Sequence, residues 1–231
     1  MRRPPASVSA AATALVLTLL AVTTLLTGCQ ATTAQEPPAR SVAPSLPPLR
    51  VLLAGDSIVD GYYTTVPEHA FSPLVEASLS KVRDVTQVEV GVSGARAFRV
   101  AAAVETDTVG QAPFDVAVLE VGANDVGKST LREWRAGFTR LLDAVAATSP
   151  DAQVVCLGPW NAQRPTRPYL DVLRRLCADD LVISLGDLFA RPGLRGPAGQ
   201  ETYLGTRDDF HPNDAGHAAI AARVLDGLVL D

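Results

Sequence analysis

From residue 49 onward, apolar residues fall in short bursts separated by polar stretches rich in glycine and proline. Bursts too short for helices predict five buried strands: Arg50–Ala54, Gln87–Val90, Asp115–Val121, Gln153–Leu157 and Leu181–Leu185. The third is the clearest. Val116, Ala117, Val118, Leu119 and Val121 leave almost no polar face, as in a parallel strand covered on both sides. Between the strands, apolar positions recur at helical spacing and predict helices over Phe71–Val82, Ala95–Val104, Leu131–Ala147, Tyr169–Cys177 and Asp214–Leu228. Trp134, Phe138, Leu141, Leu142 and Val145 form the stripe of the long helix, and Ser129-Thr130 offers its N-cap. Gly55–Pro67, Arg164–Tyr169 and Arg191–Gln200 read as loops. This alternation predicts an α/β fold: three layers, α/β/α, with a mostly parallel, flavodoxin-like five-stranded sheet.

Before residue 49 the pattern is different. Met1-Arg2-Arg3 is followed by an almost wholly apolar or small run, Ala10–Leu26, and then by Leu26-Thr27-Gly28-Cys29. That is a secretory signal over residues 1–28. Its end resembles the lipobox of bacterial lipoproteins, which implies lipid on Cys29; the alternative is an ordinary signal with a chance cysteine, or an uncleaved anchor. Residues 29–48 hold many Pro, Ala, Thr and Ser and read as a tether, leaving 49–231 as one domain. The expected location is the outer side of a bacterial cytoplasmic membrane, lipid-anchored, or release outside the cell.

The formal net charge of -5 gives no basic footprint, so no nucleic-acid partner is expected. The cysteines are Cys29, Cys156 and Cys177. With Cys29 lipidated, an even pair remains in an oxidising setting, either bridged or as buried thiols. No Cys/His cluster suggests a metal, and no cofactor is expected. Gly122 to Ser129, with Gly127 and Lys128, fits the phosphate-binding string G-x-x-x-x-G-K-S between a strand and a helix. Asp125 would put a carboxylate in that phosphate cradle, and strand four ends in Cys156-Leu157-Gly158 rather than in a magnesium-holding aspartate. Nucleotide binding is therefore the remote alternative.

Gly55-Asp56-Ser57 closes the first strand, at the carboxyl end where α/β sheets bind ligands. Ser57 there can be a nucleophile if a base reaches it. Of the histidines, His69 reads as surface or cap, and His217 falls early in the last helix. His211 stands just before that helix, with Pro212 stiffening its loop and Asn213 or Asp214 placed to cap. Asp208, three residues earlier, can accept Nδ1–H and leave Nε2 for a serine. In order, Gly55-Asp56-Ser57, Gly94, Gly122-Ala123-Asn124-Asp125 and Asp208-x-x-His211 resemble the blocks of the SGNH, or GDSL-type, esterases and lipases. The G-x-S-x-G elbow of ordinary α/β-hydrolases is absent.

The resemblance implies a catalytic Ser57, His211 and Asp208. It implies an oxyanion hole from the Ser57 and Gly94 N–H groups and the Asn124 amide, with Asp56 and Asp125 structural. The expected reaction is hydrolysis of a lipid, lysophospholipid or acetylated-glycan ester through an acyl-enzyme, by a monomeric domain. The competing reading is a glycan- or lipid-binding lipoprotein that kept the fold without the chemistry. Tyr62, Tyr63, Trp160 and the Arg164–Tyr169 stretch are expected to shape the pocket.

Overall fold

The structure is a computed structural model and describes residues 46–230. The expected signal peptide, Cys29 and the tether as far as residue 45 lie outside the described residues. No helix among the described residues is long and apolar enough to cross a membrane.

Five strands form one sheet: β1 (Leu49–Gly55), β2 (Val85–Gly91), β3 (Val116–Glu120), β4 (Gln153–Leu157) and β5 (Leu181–Ile183). Their order is β2-β1-β3-β4-β5, and every pairing is parallel. The chain steps from β1 to one side for β2, then returns to the other side for β3. That reversal opens a crevice beyond the carboxyl ends of β1 and β3, where α/β sheets bind ligands. β1 and β3 are central and buried on both faces, which is why their sequence is apolar without alternation.

Helices cover both faces. Those in sequence order are α1 (Phe71–Leu79), α2 (Ala97–Asp107), α3 (Leu131–Thr148), α4 (Gln163–Leu176), α5 (Gly186–Phe189) and α6 (Asp214–Gly227). On one face, Leu52, Ala54, Ala117, Leu119 and Cys156 pack against α2, α3 and α4. On the other, Val51, Leu53, Val116, Val118 and Val155 pack against α1, α5 and α6. Trp134 and Phe138 are core, as their spacing predicts. Each such large side chain taken from water contributes about 2–3 kcal/mol. Thr130 caps α3 in a reciprocal box with Glu133, and Asn213 caps α6 by accepting the Gly216 N–H.

The differences from the predicted elements have local causes. α4 starts at Gln163, not Tyr169, so the expected Arg164–Tyr169 loop is helix. Pro165 falls in the first turn, where N–H groups have no intrahelical acceptor, so its missing donor costs nothing. Pro168 does forfeit a bond. Tyr169 beside it is buried edge-on against Trp134, with ring centroids 4.8 Å apart, and that packing offsets the loss. α5 and a two-stranded hairpin, β6 (Glu201–Thr202) with β7 (Gly205–Thr206), were not foreseen, being too short to show a period. The sulfurs of Cys156 and Cys177 are bonded, tying the end of β4 to the end of α4 across 21 positions.

Candidate active site

Ser57 follows β1 by two residues, in a turn that the Asp56 carboxylate closes by accepting the Ile58 N–H at 3.1 Å. Gly55 lets the turn lie against β3. A Cβ there would overlap the Glu120 carbonyl oxygen and the Val59 side chain. The Ser57 hydroxyl lies 2.9 Å from His211 Nε2, although the residues are 154 positions apart. His211 Nδ1 is 2.8 Å from Asp208 Oδ2. The other Asp208 oxygen accepts the N–H groups of His211 at 2.8 Å and Phe210 at 2.9 Å. Burial pushes the Asp208 carboxyl up, but these hydrogen bonds outweigh it and leave the group below the usual carboxylate range. An ionised Asp208 fixes the proton on Nδ1 of a neutral imidazole and leaves Nε2 to accept from Ser57. The arrangement is a hydroxyl, a base and an orienting carboxylate in line.

The donors implied for an oxyanion come from adjacent loops. Gly94 follows β2 and Asn124 follows β3, the two neighbours of β1. Gly94 has φ +71°, which a side chain would strain, and its N–H and that of Ser57 meet no acceptor among the described residues. Asn124 Nδ2 donates to Asp56 Oδ2 at 3.2 Å, leaving its second N–H unused. Asp125 turns away from the crevice: its carboxylate accepts the Ala97 N–H at 3.0 Å and the Ser129 hydroxyl at 2.6 Å. It ties α2 to the loop, the structural role the resemblance implies.

That loop also overturns the phosphate-cradle reading. The N–H groups of Asp125, Val126, Lys128 and Ser129 are spent on carbonyls inside the loop itself, on Gly122 and Asp125. A cradle needs those donors free to converge on phosphate.

Tyr62 and Tyr63 flank His211, with ring centroids 6.0 and 5.1 Å away, and Phe210 lies at 5.4 Å. Trp160 does not line the site. It is fully buried, donating Nε1–H to the Phe210 carbonyl at 2.8 Å, and so props the histidine loop from beneath. The expected Arg164–Tyr169 wall is the first half of α4. Gln163, Arg164, Arg167, Leu170, Arg174 and Ser184 line a groove of about 590 Å³ that contains none of the Ser57, His211 and Asp208 set. Chemistry rather than cavity size marks the site. His69 is exposed, and its Nδ1 is 2.7 Å from Asp214 Oδ2 at the start of α6.

Three contributors escaped the sequence reading. His217 is fully buried and holds the Tyr62 carbonyl through Nε2 at 2.8 Å. Arg207, also buried, donates to the Tyr63 carbonyl at 2.8 and 3.0 Å and to Gln200 Oε1 at 2.6 Å. Glu120 ends β3 fully buried behind Asp56. Of these only Glu120 left a trace, as a lone carboxylate in an apolar strand.

Residues 53–219, well over half of the chain, match the model of the GDSL-like lipase/acylhydrolase family. The chain belongs to that family. It is therefore an ester-hydrolysing serine hydrolase, and its GDSL-type fold recurs in solved esterases. One is a two-domain esterase, CEX, active on acetylated mannans and co-crystallised with mannopentaose. It is 21% identical with a TM-score of 0.61, and the match covers 77% of this chain and 48% of that one. This GDSL-like chain thus spans about half the length of CEX. The acetyl xylan esterase AlAXEase is 21% identical with a TM-score of 0.61, covering 78% of this chain and 100% of that one. Esterase EstA from Pseudoalteromonas sp. is 15% identical with a TM-score of 0.62, covering 77% and 95%. No curated protein matches the chain.

Proposed function

We propose that Ser57, His211 and Asp208 hydrolyse carboxylic esters through an acyl-enzyme, and that the physiological substrate is a short acyl ester carried on a carbohydrate. The observation that carries the chemistry is the unbroken chain from the Ser57 hydroxyl through His211 to Asp208, at 2.9 and 2.8 Å. Ser57 Oγ attacks the ester carbonyl while His211 Nε2 takes its proton. The carbonyl oxygen becomes an anion and accepts from the Ser57 and Gly94 N–H groups and the free Asn124 N–H. His211 then protonates the departing alcohol, leaving Ser57 acylated. Water attacks the acyl carbon as His211 takes its proton, and collapse frees the acid and restores the serine. Asp208 keeps the imidazole in one tautomer and stabilises the imidazolium of each step.

Two facts support the carbohydrate ester. Solved neighbours are named for acetylated mannans and acetyl xylan. Tyr62 and Tyr63 stand beside His211, and flat aromatic rings with a polar tip suit a sugar face. The leader pattern, ending in Cys29, supports export and lipid anchoring, which would place the site among extracytoplasmic glycans. Metabolic labelling with a fatty acid, lost in Cys29→Ser, tests the anchor.

A fluorophosphonate should label the wild type and not Ser57→Ala, and Ser57→Ala should lower ester hydrolysis by at least about 10³-fold. An acyl-length series on p-nitrophenyl esters, run beside acetylated xylan and mannan, should favour acetyl over long chains. No labelling of the folded wild type would sink the enzyme reading in favour of the binding lipoprotein. A preference for long acyl chains would sink only the substrate.

A further inference from the structure

Glu120 is the last residue of β3, in register with Gly55 of β1 and Leu157 of β4. It shares its face of the sheet with Val116 and Val118, so its side chain enters the core beneath the nucleophile turn. It is fully buried, and neither carboxylate oxygen has a hydrogen-bond partner among the described residues. The backbone N–H groups of Asp56 and Trp160 lie near it outside ordinary hydrogen-bond geometry. No cation among the described residues offsets it, and its polar neighbour is another fully buried acid, Asp56. Two facing carboxylates in such surroundings cannot both be ionised.

The partners of Asp56 decide which acid keeps the proton. Asp56 accepts from the Ile58 N–H at 3.1 Å and from Asn124 Nδ2 at 3.2 Å, so two donors stabilise its negative charge. Glu120 has none. Burial, and then the Asp56 charge, accordingly lift Glu120 well above the ordinary carboxyl range.

We infer that Glu120 is a neutral acid that donates its O–H to Asp56 and thereby holds Asp56 where it orients Asn124. This rests on the esterase reading for its consequence, because Asn124 is the side chain that meets the oxyanion. Glu120 touches no substrate. It is a positioning residue acting through Asp56, which braces both the Ser57 turn and the Asn124 amide. Both groups are buried in the folded core, so the hydrogen bond is present before substrate arrives and needs no rearrangement during the reaction.

Two substitutions and one spectrum test it. Glu120→Gln keeps a donor for Asp56; Glu120→Met keeps volume without one. Purified wild type and both variants are compared by thermal unfolding, by kcat and KM on p-nitrophenyl acetate, and by fluorophosphonate labelling rate. The expected result is kcat in Glu120→Met lower by about 10- to 100-fold with KM within about twofold, and kcat in Glu120→Gln within about threefold of wild type. A purely structural role would move the unfolding midpoint and leave kcat of the folded fraction alone. Equal kcat in wild type and Glu120→Met overturns the inference, as does an equal loss in both variants, since the donor would then be irrelevant. Infrared difference spectroscopy on the wild type near neutral pH should show a protonated carboxyl C=O band that vanishes in Glu120→Gln. Absence of that band overturns it independently of folding of the variants. A wild type that neither hydrolyses esters nor takes the fluorophosphonate defeats the esterase reading, while the infrared band still decides where the proton is.

Discussion

His217 offers the sharpest quantitative test of how the site is held. It is fully buried in α6 and makes two hydrogen bonds. Nε2–H donates to the Tyr62 carbonyl at 2.8 Å, and Nδ1 accepts the Phe71 N–H at 3.3 Å. The second requires a neutral ring, since an imidazolium donates from both nitrogens and has no acceptor. Burial is the main cause that lowers its pKa from 6.5 to about 4. Between those two values the unfolded chain holds the proton and the folded chain does not. The unfolded state therefore gains protons over that window, and stability falls as pH falls through it. The contribution is whole above 6.5 and gone below about 4. At roughly 1.4 kcal/mol per unit, the loss sums to about 3 kcal/mol, with a steepest slope of about 1.2 kcal/mol per pH unit midway.

The matching variant is His217→Gln, which retains an N–H for Tyr62 and does not titrate. Urea denaturation of both proteins from about pH 7.5 to about pH 4 gives the difference in unfolding free energy. Near pH 7.5 the wild type should be ahead by about 1–2 kcal/mol, because the Phe71 N–H loses its acceptor in the variant. That lead should shrink by about 3 kcal/mol and change sign in acid. Depressed carboxylates such as Asp208 and Asp187 titrate in both proteins and drop out of the difference. A difference that stays flat with pH would refute the reasoning, because it would mean that the folded ring accepts a proton as easily as the unfolded one.

Asp208→Asn should leave KM nearly unchanged and lower kcat by roughly 10⁴-fold, read by steady-state hydrolysis, because an amide stabilises neither the required tautomer nor the imidazolium. Arg207→Ala should lower stability by about 3 kcal/mol in urea, since it strips the Tyr63 and Gly196 carbonyls and Gln200 of a buried partner. Replacing Cys156 and Cys177 together by serine, or reducing them, should lower stability by about 3 kcal/mol, from the 21-residue separation of the closed loop, while kcat of the folded fraction holds.

The sheet was legible because β1 and β3 are buried on both faces and cannot carry polar residues there. The Ser57, His211 and Asp208 set was legible because each sits at an element boundary that the pattern marks: the end of β1, and the loop before α6. Asn213 falls at that second boundary and caps the helix as its type predicts. What stayed hidden depends on contacts between distant segments. Nothing local in Arg207 or His217 reports that each will meet a carbonyl in the Tyr62-Tyr63 turn, 144 and 155 positions away. Trp160 was misplaced for the same reason: an aromatic after a strand end suits a pocket wall or a core prop, and only the packing of Phe210 over it decides. The start of α4 was lost because proline normally argues against helix, whereas Pro165 falls in the one turn that tolerates it.

His211, the proposed base, is held less by the sheet than by a web of loop contacts, and that follows from topology. Ser57 is placed by the end of β1 and the turn that Asp56 closes, but His211 lies beyond the last strand of the sheet and has no strand end of its own. Its position is set from both sides of the chain. Asn213, two residues on, accepts the Gly216 N–H and donates to the carbonyls of Gly193 at 3.0 Å and Gly196 at 2.8 Å. Arg195 donates to the Asp209 carbonyl at 2.6 Å and to that of Phe189 at 3.0 Å. Beneath them, Trp160 holds the Phe210 carbonyl. The glycine- and proline-rich stretch from 191 to 200, which by composition alone is only a connection, is thus the frame that fixes the histidine. Catalysis requires the base to sit within hydrogen-bond reach of Ser57, and a displacement of about 1 Å costs roughly 10²-fold in rate. The residues that guarantee that reach are therefore spread over the last third of the chain, and most of them touch neither the serine nor the histidine.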